Sequence, residues 1–210
     1  MLNVQIKKQL SRFMLDVQFR VSGEIVALYG PSGSGKTTTL HSIAGLTKVD
    51  DGRIQLHNRT LTENGRSVIP VEKRSIGYVF QDYALFPHKT VWQNIAYGMK
   101  DEAATKQLSE RLNIHHLLER YPHEISGGEQ QRTAFIRALA TEPQLLLLDE
   151  PFSALDDSAK RLSYEQLTLI QKEKNIPTIL VTHQKEDISH VADRQLIIED
   201  GIITAEKHIM

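Results

Sequence analysis

An α/β domain with a mainly parallel sheet is predicted by three features of the sequence. Continuous apolar runs at Ile25–Tyr29, Leu145–Leu148 and Thr178–Val181 have the composition of strands buried on both faces, as parallel strands are. Patterns of helical period lie between them, at Thr37 to Ala44, Glu102 to Leu118, Glu129 to Ala140 and Ser158 to Lys172. Strands alternating with helices in this way build a sheet with helices packed on its faces.

The chain begins with a different pattern. Leu2, Val4 and Ile6 alternate with polar residues, and so do Leu15, Val17, Phe19 and Val21. A period of two marks half-buried strands, here a short amino-terminal hairpin. Ile76–Phe80 is a further strand, and Ile202–Ile203 is the apparent last one. From about 82 to 128 the pattern is helical with no buried strand, which reads as a helical subdomain inserted into one domain spanning 1–210. Trp92 is expected to pack inside it. His115 and His116 are expected on a solvated helix surface, because adjacent residues do not share a helix face and so cannot ligate one metal together.

Composition narrows the classes. A chain of 210 residues with 40% hydrophobic and 24% charged residues suits one globular domain with a sizeable core. A formal net charge of −1 makes no demand for a nucleic-acid partner. The absence of cysteine excludes disulfides, thiolate zinc sites and cysteine nucleophiles. The first ten residues are polar and alternating, unlike a signal peptide, and no segment approaches the ~18 apolar residues of a membrane span. If the protein acts at a membrane, other chains must cross it.

Gly30-Pro31-Ser32-Gly33-Ser34-Gly35-Lys36-Thr37 follows a buried strand and opens a helix, the context in which a G-x-x-x-x-G-K-[ST] loop binds phosphate. Its glycines let successive N–H groups face a phosphate chain, and the helix start adds its positive dipole end. Lys36 is expected at the β- and γ-phosphates, the Thr37 hydroxyl on Mg²⁺, and Thr38 at the α-phosphate. The run Leu145 to Leu148 ends in Asp149 and Glu150. Alone, this is more readily a buried strand with a polar end. Beside a phosphate loop, Asp149 would face the Mg²⁺ held by Thr37 and Glu150 would polarise the attacking water, which is what phosphoryl transfer needs.

One further segment narrows the choice among nucleotidases. Ile125-Ser126-Gly127-Gly128-Glu129-Gln130-Gln131-Arg132 resembles the signature motif of ABC ATPases, written LSGGQQQR. Other elements follow in that family's order: Gln81 after the strand Ile76–Phe80, Ser153-Ala154-Leu155-Asp156 after the acidic strand, and His183 after Thr178–Val181. A lone histidine at a strand end is more often structural; its place in this series is what gives His183 a role. The chain is thus similar over its whole length to the ATP-binding subunits of ABC transporters. The resemblance implies a P-loop NTPase with a RecA-like core, an antiparallel β amino-terminal subdomain and an inserted helical subdomain.

The resemblance also implies a mechanism. Two copies, or a paired ATPase subunit, would sandwich two ATP molecules head to tail. Lys36, Thr37, Gln81, Asp149, Glu150 and His183 would act on one ATP, with Gln81 also a Mg²⁺ ligand. Ser126 and Gly128 would reach the ATP of the partner. An aromatic ring is expected on adenine; Phe13 is the nearest candidate, and an ordinary packed phenylalanine fits that position equally well. The segment Gln81-Asp82-Tyr83-Ala84-Leu85-Phe86-Pro87-His88 resembles the importer branch, and the compact hairpin its molybdate-type members. Transmembrane permease subunits would hold the chain at the cytoplasmic face of the membrane, and an extracytoplasmic binding protein would deliver cargo to them, with no nucleic acid involved. Many relatives carry a β-rich regulatory domain after the ATPase core; none is expected here. The alternative is a stand-alone ABC ATPase of an exporter or of a non-transport process.

Overall fold

The computed structural model describes residues 1–209. Its elements are β1 (Leu2–Gln9), β2 (Met14–Val21), β3 (Ile25–Tyr29), α1 (Lys36–Ala44), β4 (Asp51–Leu56), β5 (Arg59–Glu63), β6 (Arg66–Ser67) and β7 (Ile76–Val79). There follow α2 (Val91–Ile95), α3 (Glu102–Arg111), α4 (Gly127–Ala140), β8 (Leu145–Asp149), α5 (Asp157–Lys174), β9 (Thr178–Thr182), α6 (Lys185–Val191), β10 (Arg194–Glu199) and β11 (Ile202–His208).

The strands form one 11-stranded sheet in the order β6-β5-β4-β1-β2-β11-β10-β3-β9-β8-β7. The block β10-β3-β9-β8-β7 is wholly parallel. The other end is antiparallel, so half of the ten strand pairings are antiparallel. The parallel block is the expected α/β core, and β6-β5-β4-β1-β2 form the expected antiparallel amino-terminal subdomain, continuous with it in one sheet. β4, β5 and β6 carry few apolar residues, separated by polar ones as in Arg53-Ile54-Gln55-Leu56, and β10 offers only the short run Leu196-Ile197-Ile198, so none of them gives a strong strand pattern.

The apolar run of β8 is explained by its two neighbours. Successive strand residues point to opposite faces. Leu146 and Leu148 join one core with Leu180 of β9 and Phe135 and Leu139 of α4. Leu145 and Leu147 join a second core with Ile179, Val181, Leu40 and Ile43 of α1. Both faces are covered, so no position on β8 is free for a polar residue until Asp149. Truncating Leu147 to alanine in such a site costs about 2–5 kcal/mol.

The segment between β7 and β8 is helical but more broken than its pattern suggests. The continuous helix expected over Glu102 to Leu118 stops at Arg111, and a separate 3-10 turn covers His115–Leu117. Asn113 takes φ 53, the left-handed conformation that asparagine tolerates at a helix end. Leu112 and Ile114 on either side are fully buried, so the break sends both into the core. His115 thus lies on this turn, where its Nδ1 is 2.9 Å from Ser109 Oγ. Trp92 packs against the core that holds Val91 and Ile95.

Candidate functional site

The turn after β3 is shaped by its glycines. Gly33 and Gly35 have φ of 80 and 104, a region that side-chain-bearing residues rarely enter. Gly30 lies against the backbone of β10: a Cβ there would fall 2.1 Å from the Ile198 carbonyl oxygen. α1 then opens with no side-chain cap on its first N–H groups, the arrangement that suits an anion. Pro31, Ser32 and Gly33 are exposed at the rim and Ser34 is buried below them, its carbonyl accepting from the Gly201 N–H at 3.1 Å. Lys36 folds back over the loop, its Nζ donating to the carbonyls of Gly30 at 2.9 Å and Pro31 at 2.8 Å. Burial pushes its pKa down, with the nearby Glu150 and Asp149 opposing that shift.

The parallel register carries β8 to the same edge as this loop. Asp149 Oδ1 accepts from Thr37 Oγ1 at 3.0 Å and Oδ2 from the Tyr78 hydroxyl at 3.3 Å. Burial raises the Asp149 pKa, against the lowering effect of Thr37 and of nearby His41. Glu150 adopts φ 46, a strained conformation for a side-chain-bearing residue and one that turns it out of the strand. Its carboxylate collects two partners from different loops. Gln81 Nε2 reaches Oε2 at 3.4 Å, and His183 Nδ1 lies 3.2 Å from Oε1. Lys36, Thr37, Gln81, Asp149, Glu150 and His183 are thereby gathered at one end of the parallel block.

The other expected residues divide. Thr38 lies in the first turn of α1, where its carbonyl accepts from Ser42 Oγ at 2.8 Å. Phe13 is half-buried between the phosphate loop and the β10–β11 turn; a Cβ on Gly35 would lie 3.7 Å from its Cε2, and one on Gly201 2.7 Å. Ser126 and Gly128 are not joined to this cluster. Ser126 caps α4 in a reciprocal box with Glu129, whose carboxylate takes the Ser126 N–H at 2.7 Å and hydroxyl at 2.8 Å. Burial pushes the Glu129 pKa up, but these bonds outweigh it and the net shift is downward. Gly128 faces Ala159 and Leu155, beyond the acidic strand.

Three contributors escaped the sequence reading. Tyr78 is one. The others are Asp187 and Tyr164, which hold the residue preceding His183: Asp187 accepts from both Thr182 Oγ1 and the Tyr164 hydroxyl. Tyr78 sits in an apolar strand and its hydroxyl gave no motif signal. The Asp187 link spans two helices and a strand end, so only the folded chain shows it.

The model of the family described as ABC transporter matches residues 15–153. The "Molybdenum import ATP-binding protein ModC" of Haemophilus influenzae is 44% identical over 209 residues, covering 98% of this chain and 60% of that protein. The "Molybdate/tungstate import ATP-binding protein WtpC" of Archaeoglobus fulgidus is 41% identical over 208 residues, covering 96% of this chain and 85% of that protein. Among solved structures, the ATP-binding cassette MJ0796 in a dimeric, post-hydrolysis state bound to ADP and Pi matches with a TM-score of 0.83 at 27% identity, over 100% of this chain and 99% of that one. The chain spans about three fifths of the length of the first of these relatives. It belongs to the ABC transporter family.

Proposed function

We propose that this chain binds and hydrolyses ATP and, through transmembrane permease partners, powers import of an oxyanion of the molybdate class. The observation that carries the hydrolytic part is Glu150, held by Gln81 and His183 one residue past the carboxylate that bonds Thr37. In this reading the loop 30–37 wraps the phosphates, Lys36 leaves its carbonyl partners for the β- and γ-oxygens, and Glu150 orients a water for in-line attack on the γ-phosphorus. The bond to the β-bridging oxygen breaks, and charge on the leaving phosphates is met by Lys36 and the α1 start. His183 holds the far side of Glu150 and the transferred phosphoryl group. Phe13 stacks on adenine from its place beside Gly35.

Mg²⁺ fits the donor set. The Thr37 hydroxyl and Asp149 carboxylate are hard oxygen ligands already 3.0 Å apart, and the Gln81 amide completes the protein's share. Among the described residues no group of three or more His, Asp or Glu could hold a metal alone, which agrees with an ion that takes most ligands from phosphate and water. When bound it would neutralise phosphate charge.

The molybdate assignment rests on the importer relatives. Among the described residues no helix is long and apolar enough to cross a membrane, so transport needs permease subunits, which would hold the chain at the cytoplasmic face. A substrate-binding protein would act through them, outside this chain's contacts. The separation of Ser126 and Gly128 from the Lys36 cluster supports a head-to-tail dimer in which each copy completes the other's site.

The test is Glu150→Gln together with wild-type activity measured against protein concentration. Wild-type specific activity should rise with concentration. The variant should bind ATP, lose at least about 100-fold in turnover, and accumulate as an ATP-dependent dimer. Wild-type turnover in the variant would remove Glu150 from the mechanism; a variant that stays monomeric with ATP would remove the shared site.

A further inference from the structure

The loop after Gln81 is held in an unusual way. Tyr83 and Ala84 have φ of 60 and 44, two consecutive left-handed residues that both carry side chains. Such a pair costs free energy and persists only where its surroundings enforce it. The enforcing group comes from α4. Arg137 Nη1 donates to the Ala84 carbonyl at 2.8 Å and Nη2 to the Tyr83 carbonyl at 2.7 Å. Its guanidinium lies 5.7 Å over the Phe86 ring, and Phe86 is itself pinned by Asn94 on α2. The planar fork of arginine matches two adjacent carbonyls in a way a lysine ammonium cannot. Tyr83 is buried, so the loop is also anchored by packing.

We propose that Arg137 is a positioning residue that fastens the Gln81 loop to the helix opened by Ser126, coupling the two nucleotide sites across one subunit. Ser126 caps the helix that carries Arg137, and the two are separated by about 16 Å of rigid rise. The inference rests on the reading above, in which Gln81 meets the ATP of its own chain and Ser126 that of the partner. A shift of the α4 start on engaging the partner's nucleotide is carried to the Tyr83–Ala84 carbonyls, and so to Gln81 and its contact with Glu150. Burial depresses the Arg137 pKa, with Asp82 opposing, so the fork sits in a poorly solvated place where losing either carbonyl is costly.

The test is a comparison of Arg137→Lys, Gln81→Ala and the double variant. Arg137→Lys keeps the charge and loses the fork. Its kcat should fall on the order of 10- to 100-fold while ATP affinity stays within about 2-fold, because the phosphate loop is untouched. Since Arg137 acts through Gln81, the double variant should be no slower than the slower single. Losses that multiply, as independent structural damage would, overturn the proposal, and so does a lysine variant with wild-type kcat. A second measurement needs no Arg137 variant. In Glu150→Gln, hydrogen exchange of the amides of 83–86 and of 127–130 should slow together on adding ATP; slowing of one segment without the other overturns the coupling. Absence of wild-type turnover would count against the functional reading alone, and the exchange measurement would still decide the fastening.

Discussion

Two helix starts in this chain are candidates to meet phosphate, and they are held in opposite ways. α1 opens after Gly35 with no side-chain cap, and the lysine that follows is turned back onto carbonyls it can leave. α4 opens with Ser126 closed by Glu129 on both its amide and its hydroxyl. The first start is surrounded by Asp149, Glu150, Gln81 and His183; the second has none of them in contact. On the proposed reading the first is the reaction centre, and the second is a clamp with its jaw held shut by Glu129. That both are carried but neither is joined to the other is what the proposed head-to-tail pairing of two copies accounts for.

The sharpest way to break this comparison is to disable each start separately and mix the products. Lys36→Ala should lose at least about 100-fold in turnover through loss of nucleotide binding. Gly128→Asp places a negative charge on the α4 turn, where its Cβ would sit at an ordinary 3.4 Å from Ala159 and the fold should survive. It too should be inactive, yet bind ATP normally as a monomer. In a head-to-tail dimer, a mixed pair has one site with both defects and one with neither. Random pairing then restores up to about a quarter of wild-type activity if sites work independently. Two dead proteins that stay dead at every ratio would argue that α4 does not act in trans, or that one intact site is not enough; titrating Gly128→Asp against wild type separates these, since only the second gives a steep loss.

A smaller effect is expected at the shut jaw itself. Glu129 brings a carboxylate to the turn that, in the proposed dimer, would receive a phosphate of the partner's nucleotide, and the Ser126 hydroxyl is spent on it. Glutamine can complete the same capping box without the charge. Glu129→Gln should therefore lower the ATP concentration for dimer formation by about 3- to 10-fold, the effect of removing one charge near a partly exposed helix start. Titration of the Glu150→Gln dimer with and without the second change reads this directly. An unchanged or raised midpoint would mean that Glu129 moves away on its own before the partner arrives.

Legibility in the sequence followed the same division. The phosphate loop and the acidic strand end could be read because their chemistry is local: glycines at fixed spacing, and an apolar run that ends abruptly at Asp149. The core strands were legible because both faces are covered, which forces a continuous run such as Leu145 to Leu148. The antiparallel half was only partly legible. β4 and β5 have one useful face and carry Arg53, Gln55, Arg59 and Glu63 among their few apolar residues. The helix end at Asn113 was readable in principle, since asparagine followed by a buried isoleucine marks a left-handed stop; the longer leucine spacing through Leu117 and Leu118 concealed it. Tyr78 and Arg137 gave no signal, because each acts on a residue far away in sequence; Asp187 is close to Thr182 in sequence, but its bond to Tyr164 on another helix exists only in the folded chain.

The smallest effect separates stability from function at the acidic strand end. Asp149 is buried and its pKa is raised, so the folded chain holds that proton more tightly than the unfolded chain does. Proton uptake therefore favours folding. The contribution is fully present below the ordinary carboxylate pKa and is lost as pH rises through the raised value, so at neutral pH the ionised group strains the nucleotide-free protein. Asp149→Asn keeps an acceptor for Thr37 and removes the charge. The variant should melt higher than wild type at neutral pH; in a domain of this size each 1 kcal/mol gained moves the midpoint by about 2–4 °C. The gap should narrow as the pH is lowered toward the ordinary carboxylate range, because wild-type Asp149 takes up its proton earlier in the folded chain than in the unfolded one. In the same protein ATP hydrolysis should be lost, because the carboxylate that costs stability is the one that would hold Mg²⁺. A variant that melts lower at neutral pH would show that the Thr37 and Tyr78 bonds outweigh the burial, and that the loop and the strand end support each other before any nucleotide arrives.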